Sequence, residues 1–348
     1  MPDFDDARLA DPQALLSNDD RLRWIASAGA RIRVGAEAAQ DALRELSIDW
    51  TPRAILVIGA EARFVRAVLE PVCPVPMVAW SAATLPGWVG PLDLVVVLGC
   101  GDEQALLPAV AEATRRGSRV LLSSPEDSAL VGATSQRATT WLPSDGEDPV
   151  SAAVVMLAGL HRLQLGPAVD LAAAADAVDA VAGACGPGVD LVGNPAKELA
   201  YELADAQPLV WGGSVLAARA SRRFAEALRE ASGRAALAAD ATALVPVIDA
   251  VEPVDVFADP FADPVPQARP VLVLMSDGAP DPHGVEVMLR RRAEAREVRV
   301  SLVQHDTGSV GGDRGEAGSV QRYLCLLSAG LFAAAYLATG LGVTLDEH

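Results

Sequence analysis

The sequence predicts an α/β protein built of two three-layer αβα domains with parallel sheets, related by internal duplication. Three observations predict it. Short apolar runs ending in glycine alternate with stretches of helical pattern, the alternation recurs in the second half, and 348 residues suit two domains of about 150 to 170 residues each.

In the first half, residues 53–59 (RAILVIG) form an apolar run closed by glycine and followed by the helical pattern EARFVRAVLE. Residues 93–99 (DLVVVLG) do the same, followed by DEQALLPAVAEATRRG and a third run, RVLLSS. Unbroken apolar runs of this kind suit strands of a parallel sheet, which helices cover on both faces. A helix over residues 20–46 precedes the set and one over 150–165 closes it.

The second half repeats the plan. PLVWGGS (208–214) leads into LAARASRRFAEALREA, RPVLVLMSDG (269–278) into HGVEVMLRRRAEAREV, and VRVSLVQHD (298–306) follows. A repeat at about 155 residues implies two similar domains, placed at residues 20–170 and 186–345. The alanine-rich, glycine-bounded stretch 166–188 reads as the joint between them.

Hydrophobic residues make up 51% of the chain, with mean hydropathy +0.25, ample for a core. The net charge of −18 disfavours nucleic acid, whose phosphates need a concentrated basic footprint, and disfavours anionic membrane surfaces. Cys73, Cys100, Cys185 and Cys325 are far apart and form no zinc-ligand spacing. Reduced thiols in a cytoplasmic protein, with neither metal nor cofactor, are therefore expected. The N-terminus MPDFDDARLADP is acidic and carries no apolar secretory segment. Residues 323–343 run without a charge and are long enough to span a bilayer. A buried helix at a domain or subunit interface is the expectation, because glycine, serine and threonine dilute its hydrophobicity and basic anchors do not follow it.

Open α/β sheets bind ligands beyond the C-terminal ends of their strands. The candidates there are Gly59 and Arg63 after the first run, Gly101 after the second, Ser123 after the third, and Gly212-Gly213-Ser214 in the second half. Arg63 would stand in the first turn of a helix, where backbone N–H groups favour anions. Ser214 reads equally as part of an anion nest and as a plain N-cap. His305-Asp306, at a strand end before a glycine-rich loop (306–318), is a candidate acid/base, or a loop-start histidine capped by its neighbour. The proline-rich acidic loop 252–269 is the other long connection.

One segment is more specific. Asn194 to Phe224 (NPAKELAYELADAQPLVWGGSVLAARASRRF) reads as helix, strand, glycine turn and helix, and holds Lys197, the only lysine in the sequence. With the duplicated halves and the apolar C-terminal helix, it resembles the sugar isomerase (SIS) fold, and more narrowly the bacterial bifunctional phosphoglucose/phosphomannose isomerases. The resemblance covers residues 20–345. It implies two SIS-type domains, a sugar-phosphate ligand and a homodimer.

The resemblance also implies a catalytic set, and most positions depart from it. A glycine-serine phosphate loop after the first strand is here Gly59-Ala60-Glu61-Ala62-Arg63-Phe64. A serine- and threonine-rich loop after the second is Leu98-Gly99-Cys100-Gly101-Asp102-Glu103. A carboxylate 4 Å from a phosphate costs about 4 kcal/mol per unit charge near a protein surface. The stretch that supplies a base glutamate and a histidine aligns with residues 239–248, which leaves Asp240 as its one acid, and Glu230 partly matches another family acid. The family's catalytic arginine position reads Pro149-Val150, and the last seven residues contain no lysine. The leading expectation is a sugar-phosphate-binding homologue without the standard catalysis. A working aldose–ketose isomerase using Asp240, Glu230 and His305 is the alternative, and a structural dimerising subunit the third.

Overall fold

The structure is a computed structural model that describes residues 3–46, 50–101, 103–135, 137–252, 269–304 and 318–345. The chain divides into two compact units. One, called the first unit here, comprises Ala28–Asp176 with Gly315–Val320, and the second comprises Met1–Ser27, Ala177–Arg314 and Gln321–His348.

The first unit holds five parallel strands, β1 (Ile55–Gly59), β2 (Met77–Trp80), β3 (Leu94–Leu98), β4 (Arg119–Ser124) and β5 (Thr139–Pro143), in the order β2-β1-β3-β4-β5. The second unit holds β6 (Ala206–Gly212), β7 (Leu237–Ala238), β8 (Arg269–Ser276) and β9 (Arg299–Gln304), also parallel, in the order β7-β6-β8-β9. The two orders match strand for strand, with β5 added in the first unit. That correspondence is the duplication.

Packing repeats as well. Leu56, Ile58, Val95, Val97, Val120 and Leu122 present one sheet face to Ala109, Val110 and Ala113 of the helix Glu103–Arg115. Leu209, Trp211, Leu272 and Leu274 do the same against Leu244, Ile248, Leu289 and Ala293. Alternate strand residues point to one face, so each run divides between the two helical layers. Each fully buried aliphatic side chain contributes about 1.5 to 3 kcal/mol.

Two expectations change in detail. The helix expected over 20–46 is three helices, Asp19–Ala26, Ala28–Ala38 and Gln40–Glu45. At the first break, the Ser27 hydroxyl donates to the Trp24 carbonyl at 3.1 Å, a local bond that competes with continued helix. The stretch read as a joint contains the helix Leu171–Cys185, formed from alanine-rich sequence whose intrinsic helix preference needs no amphipathic pattern.

The helix Ser319–Leu341 is long and apolar enough to cross a membrane, yet 89% of its apolar window is buried inside the protein. Two of its polar side chains are hydrogen-bonded there. The Tyr336 hydroxyl donates to the Cys185 carbonyl at 2.7 Å, and Asn18 Nδ2 donates to Thr339 Oγ1 at 3.1 Å. Its glycines have a packing role: a Cβ on Gly340 would lie 2.2 Å from the Phe4 ring. This segment is a core helix.

Candidate functional site

At the C-terminal edge of the first sheet, β1 ends in Gly59 with φ +110°, and a Cβ there would lie 2.2 Å from the Leu98 carbonyl oxygen. Only glycine lets the chain leave β1 this close to β3. Glu61, 2% exposed, occupies the N-cap position of the helix Ala62–Leu69, and its side chain makes no capping bond. A buried carboxylate thus stands at the helix end that would otherwise draw a phosphate. Arg63 is exposed in the first turn of that helix and has no ion-pair partner among the described residues. Arg66, one turn further along the same helix, is held by Glu70 through bonds of 2.7 and 3.1 Å, which raise its pKa.

The loops beyond β3 and β4 add little charge recognition. The Gly99 amide donates to the Ser123 carbonyl at 2.7 Å, and Gly101, with φ +91°, has open space where a Cβ would point. Cys100 is buried, its Sγ 3.8 Å from Ser144 Oγ. Burial pushes its thiol up to about 11, and the carboxylates of Asp145, Asp148 and Glu103 add to the effect. It is a neutral thiol at physiological pH. The Ser123 hydroxyl is buried with no hydrogen-bond partner among the described residues, whereas Ser124 Oγ donates to the Pro125 carbonyl at 3.2 Å.

At the corresponding edge of the second sheet, β6 ends in Gly212, where a Cβ would lie 2.2 Å from the Ala217 carbonyl carbon. Gly213 follows against the Trp211 ring. Ser214 caps the helix Val215–Ser232 by accepting from the Ala217 amide at 2.9 Å. Its hydroxyl proton is also engaged, donated to Asp277 Oδ2. Asp277 is buried just past β8, and its other oxygen accepts from the Ala279 amide at 3.1 Å. Sequence reasoning missed Asp277. The signal was the Ser-Asp-Gly that closes the run RPVLVLMSDG at a strand end.

Strand register places Asp240 at this same edge. Val210 pairs with Ala238 and Gly212 with Met275, so Asp240, Ser214 and Asp277 each lie just beyond a strand's C-terminal end. Asp240 is nevertheless 81% exposed, with Arg222 at 4.0 Å. Glu230 is elsewhere. It lies 16 residues beyond Ser214, about 24 Å along the helix, and accepts two bonds from Arg21 Nη2 at 2.8 and 2.9 Å. His305 falls outside the described residues, as do 306–317 and 253–268 of the two long loops. Among the described residues, no three histidine, cysteine, aspartate or glutamate side chains gather as a metal site.

The segment around Lys197 is structural in its contacts. Asn194 caps the helix Pro195–Glu202 by accepting from the Ala196 and Lys197 amides at 3.1 Å, and its own amide donates to the Gly186 carbonyl. Lys197, 2% exposed, donates from Nζ to the Pro187 and Val189 carbonyls at 2.9 and 2.8 Å. It also lies 5.4 Å from the Tyr336 ring centroid.

No family model matches the sequence, and no curated protein matches it. Solved structures do match. The C-terminal domain of glucosamine-fructose-6-phosphate aminotransferase from Francisella tularensis superposes with TM-score 0.62 at 12% identity, over 94% of this chain and 97% of that one. Tagatose-6-phosphate ketose/aldose isomerase from Escherichia coli gives 0.59 at 14% identity, over 94% and 92%. Glucosamine-6-phosphate deaminase from Thermotoga maritima gives 0.57 at 12% identity, over 94% and 98%. The chain has the two-domain SIS fold. In this chain, glycine turns close β1 and β6, and buried carboxylates, Glu61 and Asp277, stand beside them.

Proposed function

We propose that this protein is a SIS-fold sugar-phosphate-binding protein without isomerase catalysis, acting as a cytoplasmic homodimer in a scaffolding or regulatory role in hexose-phosphate metabolism. Aldose–ketose isomerisation needs a positioned base for the C2 proton, an acid/base for ring opening and a cation or N–H donors for the enediolate. One observation carries the reading. Glu230, partnered with Arg21, is about 24 Å along its helix from Ser214, while Asp240 is solvated, so these two acids do not form a dry, convergent pair.

The binding part rests on the first sheet's edge. There the Gly59 turn and the exposed Arg63 follow β1, and the buried Ser123 hydroxyl, without a hydrogen-bond partner among the described residues, lies near the C-terminal end of β4, the edge where SIS proteins are expected to hold phosphate. Glu61 opposes a dianion at this edge, which favours a weak, regulatory affinity over tight capture. Thermal unfolding in the presence of glucose 6-phosphate, mannose 6-phosphate, fructose 6-phosphate and sulfate tests it. Stabilisation by the sugar phosphates beyond that by sulfate supports the reading. An unchanged midpoint with every compound overturns the binding role and leaves a structural one.

A further inference from the structure

We draw no further inference here: the strongest candidate, the outer edge of β9 in the second unit, where Leu302 is exposed and no strand is paired among the described residues although the counterpart β4 pairs with β5, carries none because nothing in the structure shows what covers it.

Discussion

The Ser214 hydroxyl donates its proton to Asp277, so a serine at a strand-end turn of an SIS fold is already satisfied by the protein's own carboxylate. The same serine caps the helix Val215–Ser232, which leaves its oxygen accepting from Ala217 and its proton committed. A phosphate approaching this edge meets a buried negative charge where a donor would be needed.

Replacing that charge should change what the edge accepts. Asp277→Asn removes the repulsion and leaves Ser214 able to donate outward, so inorganic phosphate affinity, read by calorimetry, rises at least tenfold over wild type. At about 4 Å and surface dielectric, one unit charge corresponds to about 4 kcal/mol, so a tenfold gain is a conservative expectation. Ser214→Ala acts on stability instead. It loses the cap and strands the buried Asp277 oxygen, and the midpoint in urea should reflect a loss of about 2 to 3 kcal/mol.

Glu230 is a stability residue of small weight. Its partner Arg21 holds it in an exposed ion pair, and such pairs contribute about 0.2 to 1 kcal/mol. Glu230→Gln should therefore lower stability by less than about 1 kcal/mol and leave sugar-phosphate binding unchanged. A specific loss of binding in a folded variant would restore Glu230 to the site.

Lys197 offers a direct probe of burial. As the only lysine, and 2% exposed, it is shielded from amine reagents in the native state. Reductive methylation of folded protein should modify the N-terminus alone, with Lys197 appearing only in denaturant, read by peptide mass spectrometry. Lys197→Met leaves the Pro187 and Val189 carbonyls without their donor and should cost about 1 to 3 kcal/mol.

The buried thiols set an alkaline limit. Burial raises Cys100 and Cys185 to about 11 and Cys325 to about 12, against 9.0 for a free thiol. Between pH 9 and 11 the unfolded chain loses these protons while the folded chain keeps them. The native state then binds more protons, and stability falls as pH rises through that window. Each cysteine contributes up to roughly 2 to 3 kcal/mol of this loss. Cys325→Ala should flatten the pH dependence of the unfolding midpoint above pH 9, and an unchanged slope would contradict the assignment.

The sheets were legible because parallel strands buried on both faces are apolar throughout, as in ILVIG of β1 and LVVVL of β3. Edge strands were legible only in part: β9 lies in the run VRVSLVQHD, whereas β2, β5 and β7 are not among the runs. β7 has only Leu237 and Ala238, and β2 is partly exposed, so neither makes an apolar run that stands out from its surroundings. The site was legible by halves. Backbone positions such as Gly59 and Gly212 follow from local sequence, since a tight exit from a strand demands glycine. The Arg21–Glu230 and Ser214–Asp277 pairs join residues 209 and 63 positions apart, and only the folded chain reveals that these candidates are already partnered.

Proton NMR of glucose 6-phosphate in D₂O with purified protein separates binding without isomerisation from turnover. Any aldose–ketose isomerase that uses a base for the C2 proton can wash that proton out to solvent. Binding without turnover gives line broadening of the sugar signals on adding protein, with no loss of C2 proton intensity beyond the protein-free control. Protein-dependent loss of the C2 signal, abolished in Asp240→Asn, would contradict it and establish a working isomerase.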